Sequence, residues 1–147
     1  MRDLIANMVT VDLSTDTLSG VTPNQSTWVD VRDFNAAAIE LFTGAVTDAG
    51  TAAGFTATLQ HSDTTASADA VDVPAIETTN GVNSLTVTDD ASDNLLIGVL
   101  GYNGNKRYLR FNYVGTAGTN AVVRTVARLG KPDKAPTTYV GTAVAAT

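Results

Sequence analysis

KRYLRFNYVGTAGTNAVVRTVARL, residues 106–129, decides how this chain folds. In its first half Leu109, Phe111 and Tyr113 alternate with Tyr108, Arg110 and Asn112. In its second half Val123, Thr125, Ala127 and Leu129 alternate with Val122, Arg124, Val126 and Arg128. A period of two is the mark of a pleated strand with one face turned to a core. GTAGTN, residues 115–120, supplies turn residues between the halves. The reading is a hairpin with 113 opposite 121, so that Phe111 faces Val123 and Arg110 faces Arg124. Like charges directly opposite destabilise a ladder, so Arg110, Arg124 and Arg128 on one face call for carboxylates from the same subunit, a sister subunit or another protein. Asp30, Asp33, Glu40, Asp69 and Asp72 are the candidates within the chain.

The same pattern extends outward. Short alternating or apolar runs bounded by Gly, Asn, Asp or Pro occur at Met8–Leu13, Thr27–Val31, Ala36–Phe42, Phe55–His61, Ala70–Ile76, Ser84–Thr88 and Leu95–Leu100. With the two halves of the hairpin, and a tenth candidate at Thr138–Val140, they give about eight to ten strands. Thr and Val are abundant and long helix formers scarce, which favours sheet over helix. Strands at this spacing, with turn signals such as Asn80-Gly81, predict an all-β, antiparallel, jelly-roll-like β-sandwich with little helix. A single domain is expected over residues 1–135 with a short N-terminal lead, and 136–147 reads as an extended C-terminal arm. TGAVTDAGTAAG, residues 43–54, and Ser62–Asp69 read as loops.

Charge is distributed unevenly. Residues 1–105 carry 14 carboxylates against 2 bases, net −12, whereas residues 106–147 carry 7 bases against 1 carboxylate, net +6. The whole chain is at −6, which opposes general affinity for nucleic acid. No nucleic-acid partner and no membrane span are expected, because no long apolar run exists. The apolar run near the N-terminus breaks at Asn7 and is too short for a signal sequence. With no cysteine, disulfides and thiolate metal sites are out of reach.

Nothing in the sequence reads as catalysis, and no cofactor or metal site is expected. His61 is the sole histidine, and no nucleophile-elbow pattern accompanies it. Asp89, Asp90 and Asp93 lack the spacing of a calcium loop. GYNGNKRY, residues 101–108, lacks the phosphate-loop spacing, and Gly101, Asn103 and Gly104 read as turn residues that tolerate positive φ. Trp28 reads as a core or subunit-contact anchor. The residues expected at an interface are Trp28, Lys106, Arg107, Tyr108, Arg110, Arg124 and Arg128.

Residues 101–136, GYNGNKRYLRFNYVGTAGTNAVVRTVARLGKPDKAP, resemble a pattern of small virion proteins of tailed bacteriophages. There a Gly-x-Lys-Arg-Tyr-Leu-Arg strand precedes a Gly-Thr turn, a Val-rich strand and a Leu-Gly-x-Pro exit. FTATLQHSDT, residues 55–64, is similar to their strand ending in Ser-Asp. Lys106, Arg107, Tyr108, Leu109 and Arg110 match the signature strand, and Gly118, Thr119, Leu129, Gly130 and Pro132 match the turn and exit. Asp133 and Lys134 depart from the basic residue expected after the proline. The resemblance implies a non-enzymatic capsid decoration, or cement, protein: a jelly roll on the capsid exterior, made in the host cytoplasm, bound to the major capsid protein and to itself as a homodimer or homotrimer. A tail, fibre or head-tail adaptor protein is the nearest alternative, and a carbohydrate-binding module a more distant one.

Overall fold

The computed structural model describes residues 7–47, 54–88, 93 and 95–132. Ten strands run in chain order: β1 (Met8–Ser19), β2 (Asn24–Gln25), β3 (Val29–Asp30), β4 (Phe34–Val46), β5 (Phe55–Ser62), β6 (Val71–Asp72), β7 (Ser84–Val87), β8 (Leu96–Tyr102), β9 (Tyr108–Gly115) and β10 (Asn120–Pro132). Two 3-10 turns, Ser67–Asp69 and Ala75–Glu77, interrupt the strands. The expected C-terminal arm, 136–147, the Thr138–Val140 strand, the residues before Asn7, and Asp89 and Asp90 lie outside the described residues.

Every ladder among the described residues is antiparallel. One sheet has the order β1-β10-β4-β8. In the other, β9 and β5 form the centre, β2 and β3 lie in succession along the far side of β9, and β6 and β7 along the far side of β5. If each of those broken edges counts as one strand position, there are eight positions. The first pairs with the last, the second with the seventh, the third with the sixth and the fourth with the fifth. That nesting, with the two sheets face to face, is the jelly roll. The fold class expected from the sequence is therefore the one observed.

The hairpin is not. Tyr108–Gly115 and Asn120–Pro132 belong to different sheets and share no ladder. The chain between them crosses from one sheet to the other. Their apolar faces do look at each other, but across the core: the Tyr113 hydroxyl hydrogen-bonds the Thr125 hydroxyl from the opposing sheet. Alternation says which side chains turn inward, and strands in facing sheets satisfy it as well as strands in one ladder. Consequently Arg110 projects from the outer side of one sheet, and Arg124 and Arg128 from the outer side of the other.

The core is the interlayer. Ile39 and Leu41 of β4, Ala57 and Leu59 of β5, Leu100 of β8, Leu109, Phe111 and Tyr113 of β9, and Val123 and Ala127 of β10 are almost wholly buried. Local sequence explains the long strands. In β1, Val9, Val11 and Leu13 turn inward while Thr10 and Asp12 face out. A bulge between Asp12 and Ser14 then inverts the parity, so that Leu18 is buried as well. That is why β1 continues past the expected Leu13. The expected strand at Ala70–Ile76 shrinks to Val71–Asp72, because Pro74 initiates a 3-10 turn. Thr27–Val31 likewise contributes only Val29–Asp30.

Turn chemistry is partly as anticipated. Gly81 has φ +71 and Gly20 φ +60, whereas neither Gly101 nor Gly104 adopts positive φ. Gly104 is needed for space instead: a Cβ there would fall 2.2 Å from Glu77 Oε2 and 2.4 Å from the Tyr102 hydroxyl.

Candidate interaction surface

On the outer side of the sheet centred on β9, the ladders set Asp72 opposite Gln60 and Gln60 opposite Arg110. This row forms a relay. Arg110 Nε donates to Gln60 Oε1 at 3.1 Å, and Gln60 Nε2 donates to Asp72 Oδ1 at 2.9 Å. Arg110 Nη1 donates to Ser67 Oγ at 3.0 Å from the 3-10 turn folded over it. The guanidinium also lies over Trp28, 4.3 Å from the ring centroid, and Trp28 meets Tyr108 edge-on at 6.5 Å. Arg110 is only 5% exposed, and burial pulls its pKa below the usual arginine range. Its positive charge is thus spread over an amide, a hydroxyl and a ring, with Asp72 reached only through Gln60.

One residue pair further, β3 sets Asp30 opposite Tyr108. Asp30 Oδ2 accepts from Arg107 Nε at 3.0 Å and Nη2 at 2.7 Å, and Asp30 Oδ1 accepts from the Arg32 backbone N–H at 3.0 Å. Partial burial pushes the Asp30 pKa up, but these donors and the two guanidinium charges outweigh it and leave it lowered. Arg107 in turn stacks over Tyr108 at 4.7 Å. Lys106 is bonded to Asp63, whose pKa that bond lowers. A groove of about 430 Å³ between residues 31–37 and 102–107 carries Arg32, Lys106 and Arg107 on its walls. All three already have carboxylates.

On the other sheet Arg124 Nη2 donates to Asp12 Oδ2 at 2.6 Å and Arg128 Nε donates to Glu40 Oε1. Asp12 and Glu40 flank Val126 across neighbouring ladders, so each arginine reaches a diagonal neighbour. Glu40 is 7% exposed, and its Oε2 has no hydrogen-bond partner.

The expected interface set therefore divides. Trp28, Tyr108 and Arg110, expected at an interface, are instead buried within their own subunit. Lys106, Arg107, Arg124 and Arg128 keep side-chain exposures of 37–56% and remain reachable. Of the carboxylates anticipated as partners, Asp30 and Glu40 hold arginines directly and Asp33 contacts Arg32 at 3.6 Å. Asp72 acts through Gln60, and Asp69 bonds Thr64. Asp12 and Asp63 were not singled out from the sequence, where no spacing links them to their cations.

His61 Nδ1 lies 3.0 Å from the Tyr102 hydroxyl and 3.5 Å from Glu77 Oε2. Burial lowers its pKa, against the pull of Glu77. The imidazole thus packs against a phenol and a carboxylate. Among the described residues, no three carboxylates or imidazoles come together as a metal site.

No family model matches the chain, and no curated protein matches it. Among solved structures, a chain described with Bacillus endospore appendages, "a novel family of disulfide-linked pili", overlays at TM-score 0.42 with 11% identity, covering 84% of this chain and 88% of that one. The likeness is too slight to carry a function across.

Proposed function

We propose that the chain is a virion structural protein that decorates the outer surface of a tailed-phage capsid by binding the major capsid protein, without enzymatic activity. One observation carries this reading. The stretch that resembles phage cement proteins, residues 101–136, contains β9 and β10, which are central strands of the two sheets. A resemblance confined to a surface loop would say little about the body of the protein, whereas this one specifies the middle of both layers.

The charge arrangement fits the same job. Most cations of the second half are held by carboxylates of the first, so the subunit can form a rigid acidic plate without awaiting a counter-ion from outside. Many weak contacts repeated on a lattice would then add up to firm attachment, and acidic outer surfaces would keep a densely decorated particle soluble. The reachable cations Lys106, Arg107, Arg124 and Arg128 could exchange internal carboxylates for those of the capsid.

The test is to add the purified protein to head shells of the encoding phage that lack it. Saturable co-sedimentation at a fixed stoichiometry, with reconstructed density on the shell exterior, is expected. Density only on tails, or no binding to either, would remove the capsid reading.

A further inference from the structure

We infer that the outer face of the β1-β10-β4-β8 sheet is the docking face of this chain, and that its partner brings apolar side chains together with a lysine or arginine for Glu40. Resting on the capsid reading, that partner is the major capsid protein. The two sheets differ on their outer sides. On the sheet centred on β9, the outward positions of β5 are Thr56, Thr58 and Gln60. Arg110 beside them is covered by Trp28 and by Ser67 of the 3-10 turn. That face is polar and suited to water.

The other sheet carries apolar residues on both sides. Its register sets Val126, Glu40 and Val99 in one outward row and Arg124, Phe42 and Leu96 in the next. Leu96 is 51% and Val99 42% exposed, and Phe42 and Val122 are half-buried. An antiparallel sheet with one solvated face ordinarily alternates to polar side chains on that face. Two depressions of about 530 Å³ lie on this one, and Arg128 lines both. β4 and β10 are 13 residues long. At about 3.3 Å per residue and about 4.8 Å between four strands, the face measures roughly 800 Å², close to what one partner contributes to a standard interface.

Glu40 indicates what else the partner brings. Its side chain is 9% exposed, its Oε1 accepts from Arg128 Nε, and its Oε2 has no hydrogen-bond partner. A covered carboxylate oxygen without a donor is costly, so a cation arriving there is favoured. A second copy has none to spare on this face, because Arg124 is held by Asp12 and Arg128 by Glu40 itself. A lysine or arginine of a different protein supplies it. Arg128, whose side chain is 45% exposed, can then turn to a carboxylate of that protein. The apolar rows give area, and the exchange of ion pairs gives register.

The test uses the purified full chain and head shells that lack it. Val99→Lys should bind about tenfold more weakly than the parent or worse, the scale on which loss of a central contact acts. Val99 lies opposite Glu40, so the new ammonium answers the unpaired oxygen from within, and the melting midpoint should not fall. Val114→Lys, at a similarly exposed outward position on β9, should bind as the parent does. Hydroxyl-radical labelling of the unmodified protein needs no variant to fold. Oxidation of Phe42 and Leu96 should drop on shells, while that of Val71, at the rim of the other sheet, should not. Parent binding that Val99→Lys leaves intact, or equal labelling of Phe42 and Leu96 on and off shells, would overturn this face and leave the capsid reading standing. A parent that binds no shell would overturn both. A dimer in solution that Val99→Lys splits would put a second copy on the face and overturn the partner.

Discussion

Arg110 shows what a buried cation needs when no carboxylate touches it. Stacking on Trp28 supplies the ring's negative face, and Gln60 and Ser67 take two N–H groups. Arg110→Ala removes these together and is expected to cost about 2–3 kcal/mol, read as a lower urea midpoint. Trp28 is the only tryptophan, so its emission reports on the same spot and should shift to the red. Arg110→Lys should not restore either property, because an ammonium cannot stack and fork in the way a guanidinium does. His61 gives a separate prediction. Its pKa is lowered in the folded state, so folding favours the neutral ring. The stability this provides is present above its unfolded value of about 6.5 and is lost as pH falls through the folded value. His61→Gln should flatten that part of a midpoint-against-pH curve. It should leave intact the further acid loss from Asp30 and Asp63, whose lowered pKa values place their contribution above about pH 4. An unchanged curve between pH 5 and 7 in His61→Gln would count against the assignment.

At the scale of elements, the crossing between β9 and β10 matters most. Thr119 is 3% exposed and pins it: its hydroxyl accepts from the Thr116 N–H at 2.7 Å and donates to the Gly54 carbonyl at 2.5 Å. Gly115 has no room for a side chain, since a Cβ would lie 2.4 Å from the Gly20 carbonyl and 2.6 Å from Thr119 Oγ1. Thr119→Val keeps the shape and strands both partners, at a cost of about 1–3 kcal/mol, while Thr119→Ser should retain most of the stability. Equal midpoints for Thr119→Val and the parent would show that the crossing is held by something else. This crossing is also where sequence reading stopped short. The inward sets Leu109, Phe111, Tyr113 and Val123, Thr125, Ala127 were legible residue by residue, but alternation is blind to whether two strands lie side by side or face to face. A hint existed in the outward set of β9. Tyr108 and Arg110 are large side chains that end up covered, and a strand buried on both faces is a central strand, not one limb of an isolated ribbon.

Across the whole molecule, the strand count, the sandwich and the jelly-roll class could be read from spacing and composition, because these follow from local patterns. The candidate surface was legible in part. The cations and half of their carboxylates could be named, but pairs such as Arg124 with Asp12, 112 residues apart, are made by topology and leave no local trace. The nesting of first strand with last has a further consequence. Contacts are overwhelmingly between distant parts of the chain, a topology that folds slowly, and among the described residues β1 has no ladder partner until β10 exists. A truncated chain of residues 1–119 should therefore be soluble and largely without fixed structure, and a cooperative melting transition in that fragment would refute this. During synthesis the acidic first hundred residues leave the ribosome with nothing to close against. Their like charges would repel those of nascent neighbours until the basic strands arrive and let the sandwich shut. The lopsided charge thus makes β10 the latch of the fold.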